Sequence, residues 1–293
     1  METRPLGATG LLVSGIGLGA GRIGGPGVSD TGVDALLGSA LELGVNLVDT
    51  APSYGRSEER LGRALRGRRD RVVLSTKLGY GVPGIPDWTG PCITAGVDAA
   101  LSRLRTDRLD LAHLHSCGLE VLSRGDVVEA LQRAVESGKV RVAAYSGEDE
   151  PLLWAVRSGA FGAVQCSVSA IDQGPLPGAI AEAGARGLGV LAKRPLGNAP
   201  WRFPGRPLEP DVAEAWDRFV ALAPAPSPHG WTDLFVRFAA HAPGVSAILV
   251  GTGSPGHLAE AVASSDRGAL APGVTEPLRT DFLRVGSHWA GRV

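Results

Sequence analysis

Four side chains able to move or steer a proton stand at or just beyond the ends of short apolar runs in this sequence. Asp49 closes VNLVD, Lys77 closes RVVLSTK and His115 closes LDLAHLH, while Tyr54 follows Asp49 in a loop bounded by proline and glycine. A phenol titrates near ~10 in water, too high for an efficient acid at neutral pH. An ammonium beside it stabilises the phenolate, and a carboxylate beside the ammonium keeps that cation charged and oriented. An imidazole adds a further hydrogen bond to the oxygen that receives the proton. The set suits general acid catalysis at an oxygen gathering negative charge. Taken singly, each residue also has a plainer role: a strand-end cap, a satisfied core histidine, a packing tyrosine.

Lysine adds weight. The chain holds only Lys77, Lys139 and Lys193 among abundant arginine, and an ammonium suits the tuning of a phenol better than a bidentate guanidinium. His113 shares a strand face with His115 one layer deeper, which predicts a structural, hydrogen-bonded imidazole.

Positioning these groups falls to strands that alternate with helices. After a hairpin-like stretch over residues 5–14, GIGLG, VNLVD (45–49), RVVLSTK (71–77), LDLAHLH (109–115), VRVAAYS (140–146), GAVQCSV (162–168), LGVLAKR (188–194) and VSAILVG (245–251) read as strands. Helical patterns run over 33–43, from Ser57, and over 95–104, 127–136, 152–156, 179–186, 234–240 and 258–263. Ser57 is the expected N-cap of its helix, with Glu58 and Glu59 at the positive end of the dipole. Eight such units in 293 residues, with no Ser/Gly/Pro linker, predict one α/β domain over 1–293. Its expected form is a (β/α)8 TIM barrel with an N-terminal β-hairpin. No GxGxxG opens a helix, which argues against a Rossmann domain. The stretch 197–228 reads as a long irregular loop over the barrel's active face. At the barrel mouth the polar strand ends converge, and Asp49 and Lys77, on adjacent strands about 5 Å apart, come within pairing distance.

Composition excludes several classes. With 44% hydrophobic and 20% charged residues and a formal net charge of −1, the chain has no long-range pull on nucleic acid or anionic lipid. RGRRDR (66–71) therefore reads as a solvated helix end and turn. No apolar run spans a bilayer, and Met1 to Pro5 lack a signal-peptide layout. Cys92, Cys117 and Cys166 show neither metal spacing nor a disulfide framework, so a cytoplasmic protein without a metal site is expected.

DTAPSYGRSEERLGRAL, STKLG, LDLAHLHS, GKVRVAAYSG, VQCS, AKRPLG and LVGTGSPGHLAEA, in that order, resemble the motifs of the aldo-keto reductase superfamily across nearly the whole chain. The resemblance implies a barrel that binds NAD(P)H in extended form and reduces carbonyls, with Asp49, Tyr54, Lys77 and His115 on the family's catalytic tetrad. A carbonyl that accepts hydride becomes an alkoxide and needs a proton donor and positive charge at the oxygen. Tyr54 would be that donor, Lys77 and Asp49 would tune it, and His115 would orient the substrate.

Along the cofactor the resemblance places Gly21, Arg22, Ser146, Gln165, Lys193, Arg194, Leu196, Gly251, Thr252, Gly253, His257 and Glu260. Ser146 and Gln165 offer the donor and acceptor that a carboxamide requires. Gly147 stands where the family often has Asn, which removes one amide contact. Gly251, Thr252 and Gly253 can present amides to a phosphate before a helix with Ser254 as cap and Pro255 at its first position. Gly251 and His257 replace the Lys and Arg that many members use for a 2′-phosphate, and Ala261 replaces an Asn. The resemblance leans to NADPH, with NADH open. Arg22 meets either a polar substrate or the cofactor.

The family commonly stacks an aromatic ring on the nicotinamide where Lys193 stands, with Arg194 next. Either both reach pyrophosphate or solvent, or a cation at the ring disfavours the oxidised cofactor and biases the enzyme toward reduction. Trp88 and Trp201 wall an apolar substrate pocket or pack their loops down. The substrate expected is a small carbonyl compound or sugar. The competing readings are a sugar (aldose) dehydrogenase, a cofactor-binding redox-sensing regulatory protein, against which the intact tetrad argues, and a barrel enzyme unrelated to nicotinamide. The sequence fixes no oligomeric state.

Overall fold

The computed structural model describes residues 1–292. Strands β1 (Thr3–Pro5) and β2 (Leu12–Ser14) pair antiparallel as the expected hairpin. Its Leu6, Leu11 and Val13 are buried against Leu47, Val73, Leu111 and Leu191, so the hairpin plugs the N-terminal end of the barrel.

The barrel is closed and parallel, in the order β10-β3-β4-β5-β6-β7-β8-β9. Its strands are β3 (Ile16–Gly19), β4 (Leu47–Asp49), β5 (Val73–Leu78), β6 (Leu109–His115), β7 (Val140–Ser146), β8 (Ala163–Ser167), β9 (Gly189–Lys193) and β10 (Ala247–Gly251). Around it lie α1 (Asp30–Glu42), α2 (Ser57–Ala64), α3 (Gly90–Leu104), α4 (Leu119–Arg124), α5 (Asp126–Glu136), α6 (Asp149–Arg157), α7 (Ala181–Ala185), α8 (Pro210–Leu222), α9 (Trp231–Ala240), α10 (Pro255–Asp266) and α11 (Pro272–Val285). This is the (β/α)8 TIM barrel expected from the alternation of strand and helix patterns. Outward strand residues such as Leu18, Val48, Leu74 and Val164 join helix residues in one buried layer. Inward residues change from apolar at the floor to polar at the C-terminal end, as the period of two requires. No helix among the described residues is long and apolar enough to cross a membrane.

The structure departs from the sequence reading in places. The 197–228 stretch contains α8, which packs with α9 and α11 through Ala215, Leu222, Phe235, Phe238 and Phe282. Prolines and glycines on both sides hid the amphipathic run DVAEAWDRFVAL. Ser57 is not a cap: it is the first helical residue of α2, and its hydroxyl donates to the Ala20 carbonyl at 2.9 Å and meets Thr50 Oγ1 at 2.8 Å. Ser254 and Pro255 hold the expected positions at the start of α10, but the Ser254 side chain makes no cap bond. The 179–186 pattern begins as a π turn over Leu176–Ile180 and only then becomes α7. Two of the four arginines of RGRRDR are tied down, Arg69 reaching Asp110 at 2.8 Å and Arg68 reaching Asp34 at 2.6 Å, while Arg66 and Arg71 are exposed as expected of a solvated turn.

One close approach fixes the loop after β4. A Cβ on Gly24 would stand 1.5 Å from the Tyr54 carbonyl oxygen, while the Arg56 amide donates to the Gly24 carbonyl at 3.2 Å. Gly24→Ala is expected to lose about 1–3 kcal/mol in urea unfolding, because rigid backbone must yield. Gly25→Ala is the control: its nearest neighbour would be 4.0 Å away, and its stability should stay near wild type.

Candidate active site

The centre of the polar end is a buried ion pair. Lys77 Nζ donates to Asp49 Oδ2 at 2.5 Å and to the Thr50 carbonyl at 2.9 Å, with the lysine only 1% exposed. The other Asp49 oxygen accepts from Ser75 Oγ at 2.7 Å and Gln165 Nε2 at 3.2 Å. Burial alone would raise the carboxyl and lower the ammonium. Their pairing overrides it, holding Asp49 below the usual carboxylate range and Lys77 above the usual ammonium range.

Ser75 spends its only proton on Asp49, so its contact at 3.0 Å with His113 Nε2 makes that nitrogen the donor. His113 is the structural imidazole expected from its depth. Burial, opposed by Asp49 and reinforced by Lys77, pushes it down to about 4.

Tyr54 places its ring centroid 5.2 Å from Lys77 Nζ, and its hydroxyl makes no hydrogen bond among the described residues. Two of the three ammonium protons are taken by Asp49 and Thr50, which leaves one for the phenol side. His115 is half-buried on the same mouth; burial, and after it the Lys77 charge, push its imidazole down to about 3. The structure therefore gathers Asp49, Tyr54, Lys77 and His115 at one end of the barrel.

It adds groups the sequence reading missed. Tyr80 Oη is hydrogen-bonded to His115 Nδ1 and lies 2.9 Å from Ser53 Oγ. Its place three residues beyond Lys77 was a visible signal. Ser75 had one too, sharing a strand face with Lys77. Glu148 had none. It is buried and pairs with Lys193 Nζ at 3.0 Å while accepting from the Ser167 amide at 2.8 Å.

That ion pair changes the reading of Lys193. Its charge is compensated by Glu148, and its Nζ also donates to the Arg292 carbonyl at 3.1 Å, an acceptor shared with Arg194. Burial lowers the Lys193 ammonium below its usual range, Arg194 adds to this, and Glu148 opposes it. An uncompensated cation poised against oxidised nicotinamide is not what the geometry offers.

Ser146 and Gln165 lie side by side, both 1% exposed, with Ser146 Oγ donating to Gln165 Oε1 at 3.0 Å. Gln165 retains one N–H, and acceptor capacity remains on both side chains, so the pair fits a carboxamide. Gly147 is dictated by packing, since a Cβ there would stand 2.3 Å from Tyr145 Oη. Gly251 is exposed, and Thr252 Oγ1 accepts from the Ser254 amide at 3.0 Å, shaping the turn into α10. Exposed Arg22 flanks this turn, with its Cβ 3.9 Å from where a Gly253 methyl would stand. Gly21 lies beneath the Tyr54 ring, a Cβ there being 3.7 Å from it. His257 and Glu260 are exposed on α10, and Leu196 packs against the outer core. These groups along β3, β7, β8 and β10 suit an extended dinucleotide, with α10 presenting its positive end to a phosphate.

The tryptophans separate. Trp201 stacks on Trp231 at 6.0 Å and meets Phe235 at 4.8 Å, packing its loop down. Trp88 meets Tyr80 edge-on at 5.8 Å and so borders the site. Among the described residues no cluster of His, Cys, Asp and Glu could hold a metal, and the cysteines are free and buried.

The Aldo/keto reductase family model matches residues 15–272. An L-galactose dehydrogenase of Arabidopsis thaliana is 34% identical over 157 residues, covering 50% of this chain and 49% of that protein. A 6-dehydroglucose reductase of Novosphingobium aromaticivorans is 30% identical over 233 residues, covering 73% of this chain and 75% of that protein. Against the first curated relatives the chain spans about half of their length. A crystal structure of a Pseudomonas aeruginosa protein classed by inference as an aldo-keto reductase superposes with a TM-score of 0.74 at 33% identity, covering 90% of this chain and 95% of that one. An aldo-keto reductase of Bacillus halodurans in its holo form reaches 0.82 at 22% identity, covering 98% and 97%; at that identity the likeness bears on the fold.

Asp49→Asn leaves an ammonium without its counter-charge and is expected to lose about 3–5 kcal/mol in denaturant unfolding. Stability should also fall with acid. An unfolded histidine takes up a proton near ~6.5, whereas folded His113 does so only at about 4 and His115 at about 3. Between these values the unfolded state binds more protons, so stability drops as pH falls from about 6.5 toward 4. His113→Asn should flatten that slope by about 1.4 kcal/mol per pH unit, read from urea unfolding across the range; an unchanged slope would contradict a neutral His113.

Proposed function

The chain belongs to the aldo/keto reductase family, and from that premise we propose that it is an NAD(P)H-dependent oxidoreductase that reduces an aldehyde or ketone, with Tyr54 as general acid. The carrying observation is the Lys77 ammonium, locked by Asp49 and facing the Tyr54 ring at 5.2 Å.

The dinucleotide, when bound, supplies the hydride. Ser146 and Gln165 would hold its carboxamide, and the Gly251–Gly253 turn with the start of α10 its phosphate, with Arg22 alongside. Exposed His257 can donate to a 2′-phosphate, which supports a lean to NADPH while leaving NADH usable.

A carbonyl oxygen between the Tyr54 hydroxyl and His115 would accept from both. As it gathers charge, Tyr54 transfers its proton to it, and the phenolate left behind faces the ammonium of Lys77. Asp49 keeps that ammonium charged throughout. His115, low enough to be neutral at working pH, orients the oxygen as a hydrogen-bond donor and does not compete as the acid. Tyr54 then regains a proton from solvent at the open mouth. The whole apparatus sits on one (β/α)8 domain.

A sugar substrate has specific support. The relatives named above are an L-galactose dehydrogenase and a 6-dehydroglucose reductase, and hydroxyls of Ser53 and Tyr80 border the site beside the Trp88 ring. The same residues run in reverse would oxidise a sugar hemiacetal, with the Tyr54 phenolate accepting the proton.

A screen of aldehydes, ketones and aldoses in both directions with both cofactors, followed at the nicotinamide absorbance, tests the reading. Tyr54→Phe should cut kcat on the best substrate by roughly 10²–10⁴-fold while leaving fluorescence-monitored cofactor binding unchanged. Equal turnover by wild type and Tyr54→Phe would remove Tyr54 from the role.

A further inference from the structure

Tyr80 is a second phenol at the barrel mouth. Its hydroxyl bridges His115 Nδ1 and Ser53 Oγ, and its ring lies 5.4 Å from that of His115. We infer that Tyr80 is a positioning residue that fixes the tautomer of His115, so that a protonated Nε2 faces the substrate oxygen.

The hydroxyl of Tyr80 has one proton and two neighbours, so the chain runs one of two ways. Either Ser53 donates to Tyr80 and Tyr80 to Nδ1, or Nδ1–H donates to Tyr80 and Tyr80 to Ser53. A phenol is a far stronger donor than a neutral imidazole N–H, and a bare imidazole nitrogen is a stronger acceptor than a phenol oxygen. The first direction is therefore favoured. Ser53 is exposed, and its hydroxyl is free to turn either way. With Nδ1 accepting, the proton of the neutral ring must sit on Nε2, which has no hydrogen-bond partner among the described residues. Neutrality follows from burial beside Lys77, so the ring has one proton to place.

Trp88 keeps the phenol in register. It packs edge-on to Tyr80, over a glycine at 79 whose Cβ would stand 2.0 Å from the indole. The Trp88 carbonyl is in turn held by Arg124 at 2.6 Å. The Tyr80 hydroxyl is already engaged by His115 and Ser53, unlike the open hydroxyl of Tyr54. Burial outweighs the Ser53 hydrogen bond and the Lys77 charge and pushes the Tyr80 phenol up, so it orients the imidazole and does not deliver the substrate's proton.

This inference rests on the reductase reading only for its consequence, and the test separates the two. Full-length protein carrying ¹⁵N-histidine, with the His115 signals assigned by their loss in His115→Asn, reports the tautomer without turnover. The expected result is a protonated Nε2 and a bare, hydrogen-bonded Nδ1 from pH 6 to 9. Tyr80→Phe should convert this to a mixture of tautomers and lower kcat/KM about tenfold, the worth of one hydrogen bond. Its cofactor affinity should not change. Ser53→Ala leaves Tyr80 able to donate and should retain the Nε2–H form. A wild-type ring protonated at Nδ1 would overturn the proposal. So would a Tyr80→Phe spectrum identical to wild type, or a Ser53→Ala protein that switches tautomer. If no carbonyl compound or sugar is turned over but the tautomer shifts as stated, the positioning role stands and the reductase reading falls.

Discussion

A charged pair sealed inside the barrel sets the terms for the residues around it. Removing a carboxylate and an ammonium from water costs several kcal/mol for each ion, and their mutual attraction offsets this only where the remaining donors and acceptors are satisfied. Asp49 and Lys77 meet that condition by recruiting neighbours. Ser75 and Gln165 donate to the free carboxylate oxygen, Thr50 accepts from the ammonium, and His113 and Ser146 complete Ser75 and Gln165 in turn. The polar layer from β4 to β8 is thus one connected network. Removing one of these residues would strand a buried polar group, and the network already carries one such group in His113 Nδ1.

The network reaches the outside of the barrel through β5. Lys77 and Ser75 point inward, while Thr76 between them points outward and donates to Glu58 of α2 at 2.6 Å. Glu58 is buried and also held by Arg103 of α3 at 2.6 Å. The start of α2 is therefore fixed to the strand that carries the lysine. Ser57 pins the same turn to Ala20 and Thr50, and Gly24 allows the Tyr54 backbone to approach β3's following turn. Tyr54 sits over Lys77 because its loop is clamped at both ends, not because the loop itself prefers one shape. The expected dipole role of Glu58 was the weaker half of its work; its buried pairing is the stronger.

What was legible in the sequence follows from periodicity. Inward and outward residues alternate along β4, β5 and the Leu111–His115 part of β6, so the convergence of Asp49, Lys77 and His115 could be read from strand ends alone. Helix α8 was not legible, because Pro210 at its first turn and the prolines after Ala223 punctuate it as a loop would be. Partners distant in sequence left no local trace either. Glu148 belongs beside Lys193 only once β7 and β9 are brought to the same mouth by β8 between them, and nothing near residue 292 announces that its carbonyl returns there. Tyr80 was readable as a neighbour of Lys77, but its partner His115 lies on the next strand, and that pairing depends on a side-chain direction outside regular structure.

The C-terminal segment makes the seventh barrel strand the least conventional part of the mouth. The Arg292 carbonyl gathers donors from Lys193, Arg194 and Ser167, while its guanidinium, also buried, donates to the Asp211 carbonyl of α8. Arg218 of α8 donates to the Ala290 carbonyl at 2.7 Å, and Asp149 accepts from the Gly291 amide at 2.9 Å. Cations at a strand end would ordinarily advertise an anion site. Here the carboxylate of Glu148 offsets the charge of Lys193, and a neutral backbone oxygen takes a hydrogen bond from both cations. A bare charge at position 193 is therefore not what the structure would set against a nicotinamide in the proposed reaction. The fixed ammonium of Lys77, paired yet directed at the Tyr54 ring, is the cation on which the proposed proton transfer would draw.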